Sequence, residues 1–299
     1  MPDHRRAEAL EIRRVTKRLA LPSGSGIPGA RSGIPWIDRI SIATRKIDHA
    51  RGVEARLVPV ADRRALAIDR PRNAALHEAI QAGAPIELYA AEDGTLLAVD
   101  PHRVARLSDP ATLEGARALA AFAPTTLAMA RGPVGAIDAF VAQLTTVTWA
   151  RLFEGIEMVW TEPPALRAVA GEMRCSTALD RSFADWRASF IAEAFRTGGS
   201  PPPVAPDQLF VWVTAAGPHA MAGLIPQGPT GARILTVYTP PAERGRGYAS
   251  ALTAALAEHA RARGQLATLD VSVADPYARR AYERAGFRAV GRNAVWWRT

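Results

Sequence analysis

The second half of the chain alternates short apolar runs with polar punctuation, which predicts a regular succession of strands and helices. Phe183, Trp186, Phe190 and Phe195 follow helical spacing and predict a helix with one core-facing side. Runs rich in β-branched and aromatic residues predict strands at 209–214, 219–225, 233–239 and 267–273, and a last strand around 295–297. This order of elements predicts an α/β fold.

The first half predicts a smaller α/β unit. Two strands, at 86–91 and 95–99, flank a turn made by Glu92, Asp93 and Gly94. Helices are predicted at 73–81, at 108–122 and at about 137–149. No constellation of catalytic residues is visible in this half.

Breaks in the pattern divide the chain into three parts. Residues 1–65 contain a Gly-, Pro- and Ser-rich stretch and are expected to form a partly flexible extension. The segment 24–29 satisfies G-x-G-x-x-G, but no strand precedes it and Pro28 lacks an amide, so it is interpreted as a linker. A boundary near 161–164 then separates a lobe at 66–162 from a domain at 163–299.

Length and composition describe a globular chain. It has 299 residues, of which 48% are hydrophobic and 22% charged. No apolar run is long enough to span a membrane, and the start lacks the apolar centre of a secretory signal, so a cytoplasmic protein is expected. The single cysteine, Cys175, excludes an internal disulfide and is expected to be a buried small hydrophobe. The six histidines show no ligand spacing, and no metal is predicted.

The chain is basic, with a formal net charge of +8 and a sequence pI of about 10.4. Lys17 and Lys46 are its only lysines, so arginine supplies almost all of the positive charge. A polyanion partner is one explanation of this excess. Because the arginines are scattered and no recognition motif accompanies them, a solvated surface without a nucleic-acid partner is expected instead.

The segment 234–262 gives the clearest indication of a binding site. A strand ends at Pro240 and Pro241, and a short loop delivers Gly245 and Gly247 into a helix that is expected to end at Gly264. The first amides of such a helix have no intrahelical partners and point in one direction, where the helix dipole adds partial positive charge. The arrangement suits a phosphate or pyrophosphate. An ordinary strand-to-helix turn is the alternative interpretation.

Two motifs resemble those of the GCN5-related N-acetyltransferases, the GNAT superfamily. Arg244-Gly245-Arg246-Gly247-Tyr248-Ala249 is similar to the R/Q-x-x-G-x-G/A signature. Downstream, residues 275–287 (DPYARRAYERAGF) resemble the second signature, N-x-x-A-x-x-x-Y-x-x-x-G-F. The resemblance implies a GNAT fold over about 165–299. It extends weakly to the first half, which resembles a degenerate GNAT-like lobe of the kind found in bacterial acetyltransferases with tandem lobes.

The resemblance implies a donor and a set of site residues. The donor is acetyl-CoA, with its pyrophosphate on the amides of Arg244 through Ala249. Its pantetheine arm would pair with Thr236, Val237 and Tyr238, and an amide of Val237 or Tyr238 would stabilise the oxyanion. Tyr282 matches the tyrosine that protonates the departing thiolate, although a core-filling role is the alternative. Tyr277 competes with it, but its spacing is wrong.

Two departures from the family pattern matter. The family often has asparagine where this chain has Asp275, which is expected to cap the following helix but cannot donate a side-chain hydrogen bond to CoA. No general base is visible, since Glu243, Asp270 and Ser272 all favour structural roles. The sequence therefore predicts an N-acetyltransferase that transfers acetyl to a primary amine by direct attack, or a non-catalytic acyl-CoA-binding regulatory module. The acceptor, a small molecule or a peptide, and the oligomeric state are not predicted.

Overall fold

The computed structural model describes residues 56–57, 73, 76, 86–109, 111–161, 163, 168–176, 181–194, 204–227 and 230–299. The strands are β1 Arg56–Leu57, β2 Glu87–Ala90, β3 Leu96–Val99, β4 Val104–Leu107, β5 Met129–Pro133, β6 Trp149–Trp160, β7 Glu172–Cys175, β8 Leu209–Thr214, β9 Gly217–Pro226, β10 Gly231–Tyr238, β11 Leu266–Ser272 and β12 Phe287–Arg298. The helices are α1 Leu113–Ala120, α2 Val134–Val141, α3 Arg181–Ala194, α4 Tyr248–Ala262 and α5 Pro276–Arg284, with 3₁₀ turns at Pro206–Gln208 and Pro241–Glu243.

The twelve strands within these described ranges form one sheet, in the order β1-β2-β3-β4-β5-β12-β6-β11-β10-β9-β8-β7. In each half of the chain, a parallel pair of strands is connected through a helix: β4 and β5 through α1, and β10 and β11 through α4. The next strand comes from the other half, because β5 pairs with β12 and β11 pairs with β6. The long strands β6 and β12 pair with each other in the middle. The two halves are therefore joined by exchanged strands.

The core lies in separate apolar clusters on the two faces of this sheet. Leu252 and Leu256 of α4 pack with Leu269 and Val271 of β11 in the largest cluster. Leu119 of α1 lies in a corresponding cluster of the first half. Because side chains alternate along a strand, residues of β11 next to Leu269 and Val271 face away from α4. The face opposite α4 carries α3, whose Phe183 packs with Tyr238.

Most second-half elements confirm the sequence predictions. The strands at 209–214, 219–225, 233–239 and 267–273 match β8 to β11 within a few residues. The predicted helix end is confirmed, since α4 stops at Ala262 and Gly264 adopts φ 71°. The last strand is much longer than the three residues expected. The predicted helix through Phe183 is α3, and Phe195 lies outside the described residues.

In the first half, two of the predicted helices differ from the observed ones. The helix predicted at 137–149 is wrong beyond Val141, because Trp149 begins β6, whose pairing with β11 and β12 is long-range. The helix predicted from Ser108 begins only at Leu113, after an N-cap at Thr112. The strands at 86–91 and 95–99 are confirmed as β2 and β3. Of the helix predicted at 73–81 and the extension at 1–65, only residues 73, 76 and 56–57 are described.

Cys175 lies on β7 and is exposed, so the prediction that it is buried is wrong. β7 is the last strand of the sheet, so Cys175 lies at its edge. Its Sγ lies 3.4 Å from the carbonyl oxygen of Asp207.

Candidate active site

β10 and β11 separate halfway along their length. Their parallel pairing runs from Gly231 opposite Leu266 to Arg233 opposite Thr268, and does not continue beyond it. The other edge of β10 carries an irregularity between Leu235 and Tyr238, where the register with β9 shifts. Thr236 lies in this bulge with φ 53°, a conformation that is rare for a β-branched residue. The two strands thus open into a slot.

The bulge changes which side chains face the slot and the core. Ile234, before it, belongs to the α4 cluster, and Val237, after it, packs against the same cluster. Because the bulge places Ile234 and Val237, three residues apart, on the same face, the next residue, Tyr238, lies on the opposite face against α3. The Thr236 hydroxyl is buried without a hydrogen-bond partner among the described residues. An orphaned hydroxyl beside an open slot is the feature that a bound ligand satisfies.

The turn after β10 presents amides to solvent at the start of α4. Gly247 is the N-cap of α4, with φ 88°, and no side chain caps the helix. The first intrahelical hydrogen bond is from the amide of Ala251 to the carbonyl of Gly247, at 2.9 Å. The amides before Ala251 therefore have no partner within the helix, and the dipole favours an anion there. A Cβ at Gly245 would meet no atom within 4 Å, so the turn is open there, whereas a Cβ at Gly247 would lie 3.2 Å from Val169.

The arginines of this loop are held by carboxylates. Arg244 donates to Glu193 of α3 at 2.7 Å and to the carbonyl of Thr239 at 2.9 Å, with its guanidinium 5.7 Å from the Tyr238 ring centre. Arg246 donates to Glu243 at 3.2 Å. The loop is thereby tied to α3 and to its own 3₁₀ turn.

A histidine supports the same loop from β9. His219 Nδ1 lies 2.9 Å from Glu243 Oε2, and its Nε2 lies 2.7 Å from the Thr214 hydroxyl. The imidazole stacks on the Tyr248 ring, with 4.4 Å between centres and 15° between planes. These contacts fix Glu243 in a structural role and align the first residue of α4. Sequence reasoning missed His219, because its partners lie 5, 24 and 29 residues away along the chain.

Tyr282 lies on α5 beside the start of α4. Ser250 of α4 donates a hydrogen bond to the carbonyl of Ala281 at 3.1 Å, which joins the two helices at this point. The phenol is buried, packs edge-to-face with Phe287 at 6.4 Å, and has no hydrogen bond to any described residue. Burial, with a smaller contribution from Asp275, raises the pKa of Tyr282 above its ordinary value. The hydroxyl is thus protonated at neutral pH. Tyr277, by contrast, is exposed.

The remaining predicted residues have structural partners. Asp275 is the N-cap of α5, as predicted, and accepts the Ala278 amide at 2.9 Å. Ser272 accepts the Ala274 amide at 3.2 Å. Asp270 accepts hydrogen bonds from Arg233 and, at 3.0 Å, from Asn293, and lies 3.7 Å from Arg131. The sequence did not reveal Glu157, which lies directly opposite Asp270 on β6.

The start of α1 differs from that of α4. Thr112 caps α1 by accepting the Gly115 amide at 2.9 Å, and its hydroxyl donates to Asp93. Asp93 also accepts the Thr95 amide at 2.8 Å. Burial would raise the pKa of Asp93, but hydrogen bonds from Thr112, Thr95 and Gly115 outweigh it and lower that pKa. The amino end of α1 is therefore occupied by the protein's own carboxylate.

Neither a metal site nor a membrane span is found in the part of the chain that the structure describes. Its residues contain no group of three or more His, Cys, Asp or Glu side chains arranged to hold a metal ion. None of the helices described is both long and apolar enough to cross a membrane.

Residues 178–287 match the model of the acetyltransferase (GNAT) family. These residues, in the C-terminal half of the chain, form a domain of the GNAT superfamily. The GNAT domain thus contains the slot, the amide-lined turn and Tyr282. Acyl transfer is the general activity of this family.

Solved structures with similarity to the chain include several GNAT proteins. A GCN5-related N-acetyltransferase from Sphaerobacter thermophilus is 17% identical, with 82% of this chain and 95% of that chain covered and a TM-score of 0.48. One from Kribbella flavida is 16% identical, with coverage of 75% and 95% and a TM-score of 0.48. A GNAT acetyltransferase from Colwellia psychrerythraea is 11% identical, with coverage of 82% and 99% and a TM-score of 0.44. No curated protein matches the sequence.

Proposed function

We propose that the protein is an acetyl-CoA-dependent N-acetyltransferase, in which a primary amine attacks the thioester directly within a ternary complex. The observation that carries this proposal is the opening of β10 from β11 beyond Arg233, continuous with the amide-lined start of α4. A slot with free strand edges suits an extended amide-containing chain, and the helix start suits its pyrophosphate.

The proposed contacts to acetyl-CoA follow the order of the chain. The pantetheine arm would pair with the backbone of Thr236, Val237 and Tyr238, of which Thr236 and Val237 have no residue opposite them on β9. The unpartnered Thr236 hydroxyl supplies a further polar contact. The amides of Arg244, Gly245, Arg246, Gly247, Tyr248 and Ala249 would hold the pyrophosphate. Asp275 would contribute through its backbone, because its carboxylate already accepts the Ala278 amide.

The proposed chemistry uses two groups of the GNAT domain. A backbone amide of Val237 or Tyr238 would donate to the oxyanion that forms as the amine nitrogen bonds to the carbonyl carbon. As the carbon–sulfur bond breaks, Tyr282 would give its proton to the thiolate, and the proton released by the nitrogen restores the phenol. Its raised pKa keeps the phenol protonated at neutral pH, and it also makes the phenol a weaker acid towards the thiolate.

The two halves of the chain are proposed to be two related lobes. The repeated arrangement of a parallel strand pair, a connecting helix and an exchanged strand supports a GNAT-like lobe at 66–162 and a GNAT domain at 163–299. Asp93 at the start of α1 explains why the first lobe would have lost its anion site.

A non-catalytic acyl-CoA-binding module is the second candidate. The burial of Tyr282 within the apolar cluster favours it, because a phenol used only for packing has the same surroundings. Both candidate functions predict acetyl-CoA binding, but only the N-acetyltransferase predicts turnover.

Calorimetric titration of acetyl-CoA into the purified chain tests the binding site. Gly247→Trp is expected to abolish binding, because the indole would cover the amides at the start of α4. The matched control is Gly264→Trp at the other end of the same helix, where φ is 71° and a Cβ meets no atom within 4 Å. Equal binding by both variants would contradict the assigned site, and no binding to the parent chain would contradict the function.

A further inference from the structure

A cluster of charged and amide side chains crosses the middle of the sheet on the face opposite α4. This central polar cluster consists of Arg131 on β5, Glu157 on β6, Arg233 on β10, Asp270 on β11 and Asn293 on β12. Asp270 lies between Leu269 and Val271, whose side chains face α4, so its carboxylate faces the other way. The first half of the chain contributes Arg131 and Glu157, and the GNAT domain contributes the rest.

The cluster begins where the slot opens. Arg233 is the last residue of β10 that pairs with β11, and its side chain bonds Asp270, which lies two residues beyond the last paired position of β11. Glu157 is directly opposite Asp270 on the next strand. The two carboxylates are therefore adjacent to the opening through which the thioester would be reached.

The two carboxylates differ in their partners. Asp270 is bonded by Arg233 and Asn293 and lies near Arg131. Glu157 forms neither a hydrogen bond nor an ion pair with any described residue, although it is partly buried. A carboxylate in this position can receive a ligand without first breaking an internal bond.

Space for a ligand is present beside Glu157. Its neighbour on β12 is Gly291, and the neighbour of Asn293 on β6 is Gly155; the Asp109 carboxylate lies over the first glycine and the Phe153 ring over the second. A cavity beside them is lined by Arg131, Glu157 and Asn293, among other residues. Asn293 is 7% exposed, and its side-chain oxygen is buried without a partner. A buried acceptor in a polar cavity indicates a missing donor.

The charges around the cavity favour a ligand with both signs. Burial, and then the charge of Asp270, raises the pKa of Glu157 to about 8, despite Arg131 and Arg233, and Asp109 adds to the rise. Burial, and then Arg233, lowers the pKa of Arg131 to about 10. The other charged residues on the cavity wall are Asp109, whose carboxylate lies over Gly291, Arg106, which pairs with Asp100, and Arg292, which pairs with Glu154. Arg131 is thus a cation with incomplete compensation.

We infer that the central polar cluster is the acceptor site, and that it takes an amino acid, a primary amine with a carboxylate a few atoms away. Glu157 receives the ammonium group and Arg131 pairs with the carboxylate. The inference rests on the proposed function and gives the first half of the chain a role in catalysis. It also supplies the base that the sequence did not show.

The proton balance closes once Glu157 returns its proton to solvent after each turnover. The ammonium of the bound acceptor gives one proton to the Glu157 carboxylate, which leaves a neutral amine and a neutral carboxylic acid. The amine lone pair then forms the carbon–nitrogen bond while the carbon–sulfur bond breaks, and the second proton lost by nitrogen balances the one taken by the thiolate. A base that titrates near the working pH is suited to the first of these transfers.

The test measures thiol release at saturating acetyl-CoA with the standard amino acids and with ethanolamine and 1,4-diaminobutane, which lack a carboxylate. An amino acid is expected to be the best acceptor. Glu157→Gln is expected to lower turnover by about 10²-fold or more while acetyl-CoA affinity, measured calorimetrically, stays the same. The control is Glu172→Gln on β7, an exposed glutamate that does not line the cavity, which is expected to keep both. Arg131→Gln should raise KM for the amino acid and leave the affinity for acetyl-CoA intact.

The pH profile separates a base from a merely structural residue. The kcat/KM of the parent chain for the amino acid is expected to rise through an apparent pKa near 8, that of Glu157 in the free protein, and this step should be absent in Glu157→Gln. Acetyl-CoA binding without acetylation of any amino acid would overturn the inference, and so would equal use of ethanolamine. Equal activities and equal pH profiles of the Glu157→Gln and Glu172→Gln variants would also overturn it. Failure of the parent chain to bind acetyl-CoA is a different result, since it removes the proposed function and the inference together.

Discussion

The carboxylate of Asp93 lies at the amino end of α1, where the Thr112 hydroxyl donates a hydrogen bond to it. In the GNAT domain, the equivalent end of α4 is formed by Gly247 and has no side-chain cap. A carboxylate already bound at a helix start disfavours a second anion there, because the like charges repel. The two halves of the sheet thus share an arrangement of strands and differ at the helix start where we propose that an anion binds.

From this difference we expect one acetyl-CoA to bind per chain. Calorimetric titration should give a stoichiometry near one, because Asp93 excludes the pyrophosphate from α1. Its lowered pKa keeps the group ionised at neutral pH, so the exclusion persists there. A stoichiometry of two for the parent chain would contradict the assignment of a single site. Acetyl-CoA binding that remains in Gly247→Trp would contradict it as well.

Replacing Tyr282 by Phe is expected to reduce turnover by about 10²-fold, because the departing thiolate loses its proton donor. The affinity for acetyl-CoA should change little, since the ring and its edge-to-face contact with Phe287 remain. Steady-state kinetics with the best acceptor, together with calorimetry, separates the two effects.

The matched control is Tyr277→Phe, one turn earlier on α5, where the side chain is 80% exposed. It should keep full turnover. Equal activities of the two variants would assign Tyr282 to packing alone.

Removal of the Asp270 carboxylate is expected to destabilise the fold strongly. Asp270→Ala leaves Arg233, Arg131 and Asn293 without their shared acceptor in a largely buried position. Loss of one partner from a buried ion pair costs about 3–5 kcal/mol in the free energy of unfolding. Urea unfolding followed by circular dichroism measures it. Glu172→Ala, which breaks an exposed pair with Arg174, is the control and should leave the midpoint nearly unchanged.

Stability is expected to depend on pH through Glu157. Its pKa is about 8 in the folded chain against an ordinary value of 4.5, so the folded state holds the proton more tightly than the unfolded state does. The contribution of this group is therefore fully present below about 4.5, and it is lost as the pH rises towards 8.

Unfolding free energies measured across that range should fall less steeply for Glu157→Gln than for the parent chain. The exposed Glu172→Gln variant should follow the parent curve. Parallel curves for all three proteins would mean that Glu157 is ionised in the folded state at neutral pH.

Local signals account for what the sequence predicted well. The strand, glycine turn and helix around Gly247 depend on residues close in the chain, and so does the cap at Asp275. β6 was missed because its stability comes from pairing with β11 and β12, more than 100 residues later. Glu157 was missed for the same reason. An acidic residue between Ile156 and Met158 has the pattern of a solvated strand face. Only the strand register, which places Glu157 opposite Asp270, shows that it belongs to the central polar cluster.

The exchanged strands also constrain how the chain can reach its native state. β12 comprises residues 287–298 and lies in the middle of the sheet, between β5 and β6. During synthesis, the first half can form β2 to β5, but the inner edge of β5 stays open until residue 298 has been made. Folding of both halves must therefore finish together and late. In the interval, the exposed edges of β5 and β6 are the surfaces on which the nascent chain is most prone to mispair.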